Sequence, residues 1–98
     1  MNRLWAKYLP ELEDRVATLE KAAKYLSEGN LAADQREAAS SDAHKLAGVL
    51  GTFGLQEGTL LAREAEEAYR GELAGNGASA ARVDEIAAKL RAILASRG

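Results

Sequence analysis

Hydrophobic residues recur along the chain at the spacing of an α-helix. In the clearest segment, which starts at Glu11, apolar positions stand four, three, four and three residues apart. Such spacing places them on one side of a helix. Gly29-Asn30 predicts the end of this helix, because glycine readily adopts the left-handed conformation of a helix C-terminus. The apolar positions are Leu12, Val16, Leu19, Ala23 and Leu26.

Three further segments also predict amphipathic helices. One runs from residue 31 or 32 to residue 52 or 53 and is ended by Gly54. The next covers residues 55–70, and the last begins near Ser79, a plausible N-cap. A surface loop containing Gly71, Gly75, Asn76 and Gly77 separates these two helices. Their predicted inner positions are Leu61, Ala65, Ala68 and Tyr69 in the third helix and Val83, Ile86, Leu90 and Leu94 in the fourth.

Residues 2–9 predict a short amphipathic helix or turn before these four. It carries Leu4, Trp5, Tyr8 and Leu9 and is closed by Pro10, which then opens the next helix. Four long amphipathic helices with short connections favour an antiparallel up-and-down four-helix bundle. The short N-terminal helix is expected to cap one end of it, with Trp5 covering the core. With 98 residues, the chain is expected to form one domain over residues 1–98.

Composition and charge narrow the classes of function. The chain has no cysteine, so disulfides and thiolate metal sites are excluded. The net charge is −2 and the basic residues are scattered, which argues against nucleic-acid binding. No apolar run is long enough to span a membrane, and no signal-peptide pattern is present. A cytoplasmic, monomeric protein is therefore expected.

His44 is the only histidine of the chain. Gly48 and Gly51 follow it in the same predicted helix, although an interior glycine costs about 1 kcal/mol relative to alanine. On a helical wheel of about 100° per residue, Leu46 and Leu50 lie between about 180° and 240° from His44. Both glycines lie within about 60° of it. His44 is therefore expected to face solvent beside bare backbone.

The residues around His44 distinguish among several roles that a lone histidine can have. A lone helical histidine is most often an ordinary surface residue, but exposed helix positions normally hold strong helix formers rather than glycine. A metal site needs another ligand three or four residues away, and the chain has only serine, alanine and glycine there. A triad with Ser41 and Asp42 is disfavoured, because Asp42 points about 160° away from His44. A nucleophilic imidazole that accepts a phosphoryl group remains.

The residues around His44 resemble a known signature. The segment Ala43-His44-Lys45-Leu46-Ala47-Gly48, followed by Gly51-Thr52-Phe53-Gly54-Leu55, is similar to that of histidine-containing phosphotransfer (HPt) domains. The resemblance implies a helical phosphocarrier with no catalytic machinery of its own, and therefore not an enzyme. His44 would take a phosphoryl group through Nε2 from the aspartate of one receiver domain and pass it to another. No cofactor is expected, because the Mg²⁺ belongs to the partner receiver domain.

The resemblance also implies roles for the neighbours of His44. Lys45 would offset phosphate charge, and Gly48 would leave room for the receiver. Many HPt domains have lysine three residues after the histidine, where this chain has Ala47, so Lys45, Arg63 or the partner must supply the charge. The expected docking surface comprises Ser41, Lys45, Gly48, Gly51, Thr52 and Leu55.

A polar side chain of the next helix often holds the other ring nitrogen in this family. Glu66 is the first candidate by spacing, followed by Arg63 and Gln56. Each of Glu64, Glu66 and Glu67 also fits an ordinary solvated helix face. Two other functions stay open: a helical adaptor that binds receiver domains without being phosphorylated, and a purely structural fragment.

Overall fold

A computed structural model describes residues 3–71 and 77–97, and this part of the chain is helical apart from short connections. The four helices are α1 (Arg3–Ser27), α2 (Ala33–Thr52), α3 (Gln56–Arg70) and α4 (Gly77–Arg97). The all-helical class and the four long helices are thus confirmed. None of the described helices is long and apolar enough to cross a membrane.

Each helix packs against its neighbours in the chain, and α4 also packs against α1. The start of α2 contacts the end of α3, and the end of α2 contacts the start of α3. Arg36, near the start of α2, reaches the carbonyl oxygen of Tyr69 near the end of α3. Gly51, near the end of α2, lies beside Thr59 near the start of α3. This is the order that antiparallel neighbours require, as expected for helices joined by so short a connection.

The predicted separate helix over residues 2–9 is wrong. α1 continues through Pro10, so the residues before the proline are its first turns. A proline removes one backbone hydrogen bond and strains the preceding turn, but Trp5 is only 2% exposed and lies two turns before the buried Leu12. Trp5 also meets Phe53 edge to face, with ring centroids 5.0 Å apart. Burial of the indole therefore offsets the cost of the interior proline, and Trp5 covers the core as predicted.

The predicted helix ends agree with the structure at two of the three positions. Gly29 and Gly54 have φ angles of 74° and 72°, in the left-handed region that a glycine adopts without strain. The prediction that Ser79 caps the last helix is wrong, because α4 begins at Gly77. Alanine dominates this part of the chain and favours an earlier start. Gly75 and Asn76 of the predicted loop lie outside the described residues.

The predicted inner positions form the core of the bundle. Among them, only Ala68 is half-buried rather than buried. The core has no buried charged residue in the described part of the chain. The largest fully buried side chains come from all four helices and are Trp5, Tyr69, Leu12, Leu19, Leu46, Leu50, Ile86, Leu90 and Val16.

Candidate functional site around His44

His44 lies near the middle of α2, on the side that faces away from the core. Its side chain is 73% exposed, whereas Ala43 and Leu46 on the inner side are completely buried. The apolar stripe of α2 fixes this orientation, because burying Leu46 and Leu50 turns the opposite side of the helix outward. The exposure predicted for His44 is confirmed.

Glu66 of α3 is the residue that meets the imidazole. Its Oε2 lies 3.0 Å from Nδ1 of His44, and the carboxylate is only 17% exposed. An ionised carboxylate can only accept a hydrogen bond, so Nδ1 must donate its proton. In the uncharged ring the lone pair then resides on Nε2. This hydrogen bond therefore selects the tautomer that leaves Nε2 as the nucleophilic nitrogen.

The other two candidates for holding the ring do not reach it. Gln56 and Arg63 are exposed on α3, and among the described residues neither forms a hydrogen bond with His44, whose partner is Glu66. Arg70, which sequence reasoning did not consider, is closer to the pair. Its Nη1 lies 3.8 Å from Oε2 of Glu66, and its side chain is 69% exposed. A permanent positive charge thus stands one turn beyond the carboxylate.

The two glycines that follow His44 have different surroundings. A Cβ atom added to Gly48 would find no neighbour within 4 Å. One added to Gly51 would meet Oγ1 of Thr59 at 3.7 Å, an ordinary contact with α3. The expected bare backbone beside the ring is therefore open at Gly48 and borders α3 at Gly51. Thr52 donates its hydroxyl to the carbonyl oxygen of Gly48 at 3.0 Å, an internal hydrogen bond of α2.

The remaining predicted contact residues lie on the same outer surface of α2. Ser41, Lys45 and Thr52 are exposed, and Leu55 is half-buried just after the helix. Asp42 is directed elsewhere: its Oδ1 accepts a hydrogen bond of 2.8 Å from Arg15 of α1. A Ser-His-Asp triad is thereby excluded, because the carboxylate already pairs across the opposite side of α2. The described residues also contain no cluster of metal-ligating side chains.

Two further residues near the site were missed by sequence reasoning. Arg36 donates to the carbonyl oxygens of Tyr69 at 2.7 Å and Arg70 at 3.3 Å, and also to that of Gly71. Gly58 lets α3 approach α2, because a Cβ there would lie 3.0 Å from Cδ1 of Leu50. In the sequence, Gly58 and Gly48 carry the same signal, because each is a glycine inside a predicted helix. Arg36 gave none, because its partners are backbone atoms of another helix.

A second carboxylate of α3 has a different electrostatic environment. Arg82 of α4 donates to both oxygens of Glu64, at 2.5 Å and 2.7 Å. These hydrogen bonds lower the pKa of Glu64 below its ordinary value of 4.5. Glu64 is therefore committed to an ion pair with α4, on the far side of α3 from His44.

Comparison with known protein families agrees with this geometry. The family model described as Hpt domain matches residues 3–95, nearly the whole chain and all of the His44 site. No match was found among curated proteins or among solved structures. The family match and the helical bundle agree, and the chain therefore belongs to the Hpt domain family.

Proposed function

We propose that this chain carries a phosphoryl group on Nε2 of His44 between two receiver domains. Its family acts in phosphotransfer within two-component phosphorelays in general. The observation that carries the assignment to His44 is the exposed imidazole whose Nδ1 is held by Glu66 at 3.0 Å. A nucleophile for an external phosphoryl group needs an accessible lone pair in a fixed direction, and this arrangement provides both.

The transfer step is a displacement at phosphorus. The Nε2 lone pair forms the new P–N bond while the P–O bond to the receiver aspartate breaks, and the aspartate carboxylate leaves with the bonding electrons. The proton stays on Nδ1, so the phosphorylated ring carries positive charge next to the Glu66 carboxylate. That carboxylate stabilises the charge as it develops. Transfer to a second receiver is the same step in reverse, with its aspartate as the nucleophile.

Cations near His44 are suited to offset the phosphoryl charge. The chain has Ala47 where many HPt domains have lysine, and Ala47 is buried. Lys45 is exposed on the next position of α2, and Arg70 lies one turn of α3 beyond Glu66. Phosphoryl transfer depends mainly on positioning and charge stabilisation, and these two side chains would add positive charge to that of the receiver's metal ion. This chain is then a phosphocarrier that relies on its partner for catalysis.

The receiver would dock on the outer side of α2. Ser41, Lys45, Thr52 and the open flank at Gly48 surround the ring, and the missing side chain at Gly48 admits the phosphoaspartate. A rigid helix loses little conformational freedom on binding, which suits a transient partner.

The assignment is tested by phosphotransfer in vitro. The chain is incubated with a phosphorylated receiver domain and Mg²⁺, and the label is followed on the chain. Native protein should gain a phosphate that is labile in acid and stable in base, as a phosphohistidine is. His44→Gln should gain none while keeping the native helical circular dichroism, because the ring makes no contribution to the core. Equal labelling of His44→Gln would overturn the assignment.

The adaptor function has its own signature in the same experiment. An adaptor would bind receivers equally well with either residue and would not be labelled in its native form. Measuring receiver binding by calorimetry alongside labelling therefore separates the two functions.

A further inference from the structure

We infer that Arg36 is a positioning residue for His44, acting through the last turn of α3. This inference rests on the proposed function, in which the direction of the His44 ring matters. Arg36 lies two turns before His44 on α2 and does not touch the ring. It contacts the end of the helix that carries Glu66, and Glu66 in turn holds Nδ1.

The contact is a cap on the C-terminus of α3. The last carbonyl groups of a helix have no partner within it, and they form the negative end of the helix dipole. Arg36 donates to those of Tyr69 and Arg70, and also to that of Gly71 just after the helix. The planar guanidinium presents its donors in a rigid fork that spans several acceptors, whereas the three donors of a lysine ammonium share one nitrogen at the end of a flexible chain. Arg36 thus fixes the position of this turn along the α3 axis, and its rotation about that axis, relative to α2.

The position of this turn determines where the Glu66 carboxylate lies. Glu66 is one turn before Tyr69 and only 17% exposed, so its carboxylate moves with the turn. The His44 side chain is 73% exposed and is not held by packing. Its orientation therefore depends on the 3.0 Å hydrogen bond to Glu66. A displacement of the α3 end is transmitted to the imidazole through that bond.

Nitrogen NMR of the His44 imidazole tests this inference directly. The ¹⁵N shifts of an uncharged ring report which nitrogen carries the proton. In Arg36→Gln the Nδ1–H form should lose population toward the level found in Glu66→Ala. Phosphotransfer from a receiver should fall on the order of tenfold, since small displacements of a reacting group can cost up to about 100-fold.

Arg82→Gln is the matched control. Arg82 also ties α3 to a neighbouring helix, but through the Glu64 side chain and toward α4. The same substitution there should leave the imidazole shifts and the transfer rate at native values. If both variants shift the ring equally, general loosening of α3 explains the result and the inference is wrong.

Introducing Arg36→Gln into the Glu66→Ala variant shows whether Arg36 acts through Glu66. Combined with Glu66→Ala, the Arg36→Gln change should produce almost no additional loss, because the link is already broken. Independent, additive losses would contradict the inference. If Arg36→Gln does not fold, Arg36→Lys serves as the test. Its population of the Nδ1–H tautomer should lie between those of native protein and Glu66→Ala. A native tautomer ratio in Arg36→Lys would contradict the positioning role of Arg36. If native chain is not phosphorylated, the proposed function fails, whereas the NMR comparison still decides the role of Arg36.

Discussion

Glu64 and Glu66 stand two residues apart on α3 and have different partners. Glu64 is 46% exposed and accepts two hydrogen bonds from Arg82 of α4. Glu66 is 17% exposed and accepts one from the imidazole of His44 on α2. At about 100° per residue, the two side chains point roughly 200° apart around the helix. One helix therefore presents one carboxylate to each neighbouring helix.

The partner decides what each carboxylate can do. Arg82 is always charged, so its pair with Glu64 adds a modest amount of stability and takes part in no chemistry. An imidazole can carry its proton on either nitrogen, so pairing with Glu66 selects one tautomer and directs the other nitrogen outward. Neither exposure nor sequence spacing alone therefore assigns a role to a helical glutamate. The side chain on the facing helix does.

The Glu66 carboxylate is the one whose removal should slow phosphotransfer most. Glu66→Ala should lower the rate of phosphorylation of His44 by about tenfold to 100-fold, by analogy with the loss of a partner that orients a metal-bound histidine. Glu64→Ala should leave the rate unchanged. Rapid-quench labelling by a phosphorylated receiver measures both rates.

Glu66→Gln separates orientation from charge. Its amide oxygen can still accept from Nδ1, so it retains the tautomer but not the negative charge. A rate between those of native protein and Glu66→Ala is expected. If Glu64→Ala slows transfer as much as Glu66→Ala does, the proposed division of roles between the two glutamates is wrong.

Sequence reasoning reached His44 and the bundle because both follow from periodicity. Burying the apolar stripe of α2 determines which way His44 faces, so the exposed ring was predictable. The choice among Glu64, Glu66 and Glu67 was less secure, because it depends on how α3 is rotated against α2. Spacing favoured Glu66, but only the position of the neighbouring helices separates it from the other two.

Features that depend on contacts between distant segments were harder to predict. The helical continuation through Pro10 depends on burying Trp5, and proline alone indicated a break. The cap formed by Arg36 involves backbone carbonyls, which carry no residue-specific signal. Gly58 and Gly48 look alike in the sequence, yet a Cβ atom added to Gly58 would lie 3.0 Å from Cδ1 of the buried Leu50, whereas one added to Gly48 would meet open space.

Because the space around Gly48 is open, a methyl group added there should affect stability and phosphotransfer in opposite ways. Gly48→Ala should raise the free energy of unfolding by about 1 kcal/mol, because alanine is the better helix former and its methyl group meets no neighbour. Phosphotransfer should nevertheless slow, because the methyl group stands where the receiver approaches. Urea unfolding and the labelling assay measure the two effects separately.

Gly58→Val is the matched change on the packed side. Its side chain would push against Leu50, and the free energy of unfolding should fall by about 1–3 kcal/mol, as in other overpacked cores. Gly48→Ala with faster transfer, or Gly58→Val with higher stability, would contradict the roles given to the two positions.

The smallest expected effect is the pH dependence that Glu64 adds to stability. Hydrogen bonds from Arg82 hold the pKa of Glu64 below its ordinary value of 4.5. A carboxyl group with a lowered pKa in the folded state stabilises the protein above its unfolded pKa, and this contribution disappears as the pH falls through the folded pKa. Glu64→Gln should therefore lower the free energy of unfolding at pH 7 by less than about 1 kcal/mol, since the pair is solvent-exposed.

The difference between native protein and Glu64→Gln should close as the pH falls from 4.5 through the lowered pKa of Glu64, below which the native carboxyl group is also neutral. Urea unfolding at pH 7, 4 and 3 measures this. Transfer to His44 at pH 7 should be the same in both proteins, because the pair with Arg82 lies on the α4 side of α3. A stability difference that does not change with pH would mean that the ion pair is not its source. A change in transfer rate would instead link the α4 side of α3 to His44, against the separation of the two glutamates.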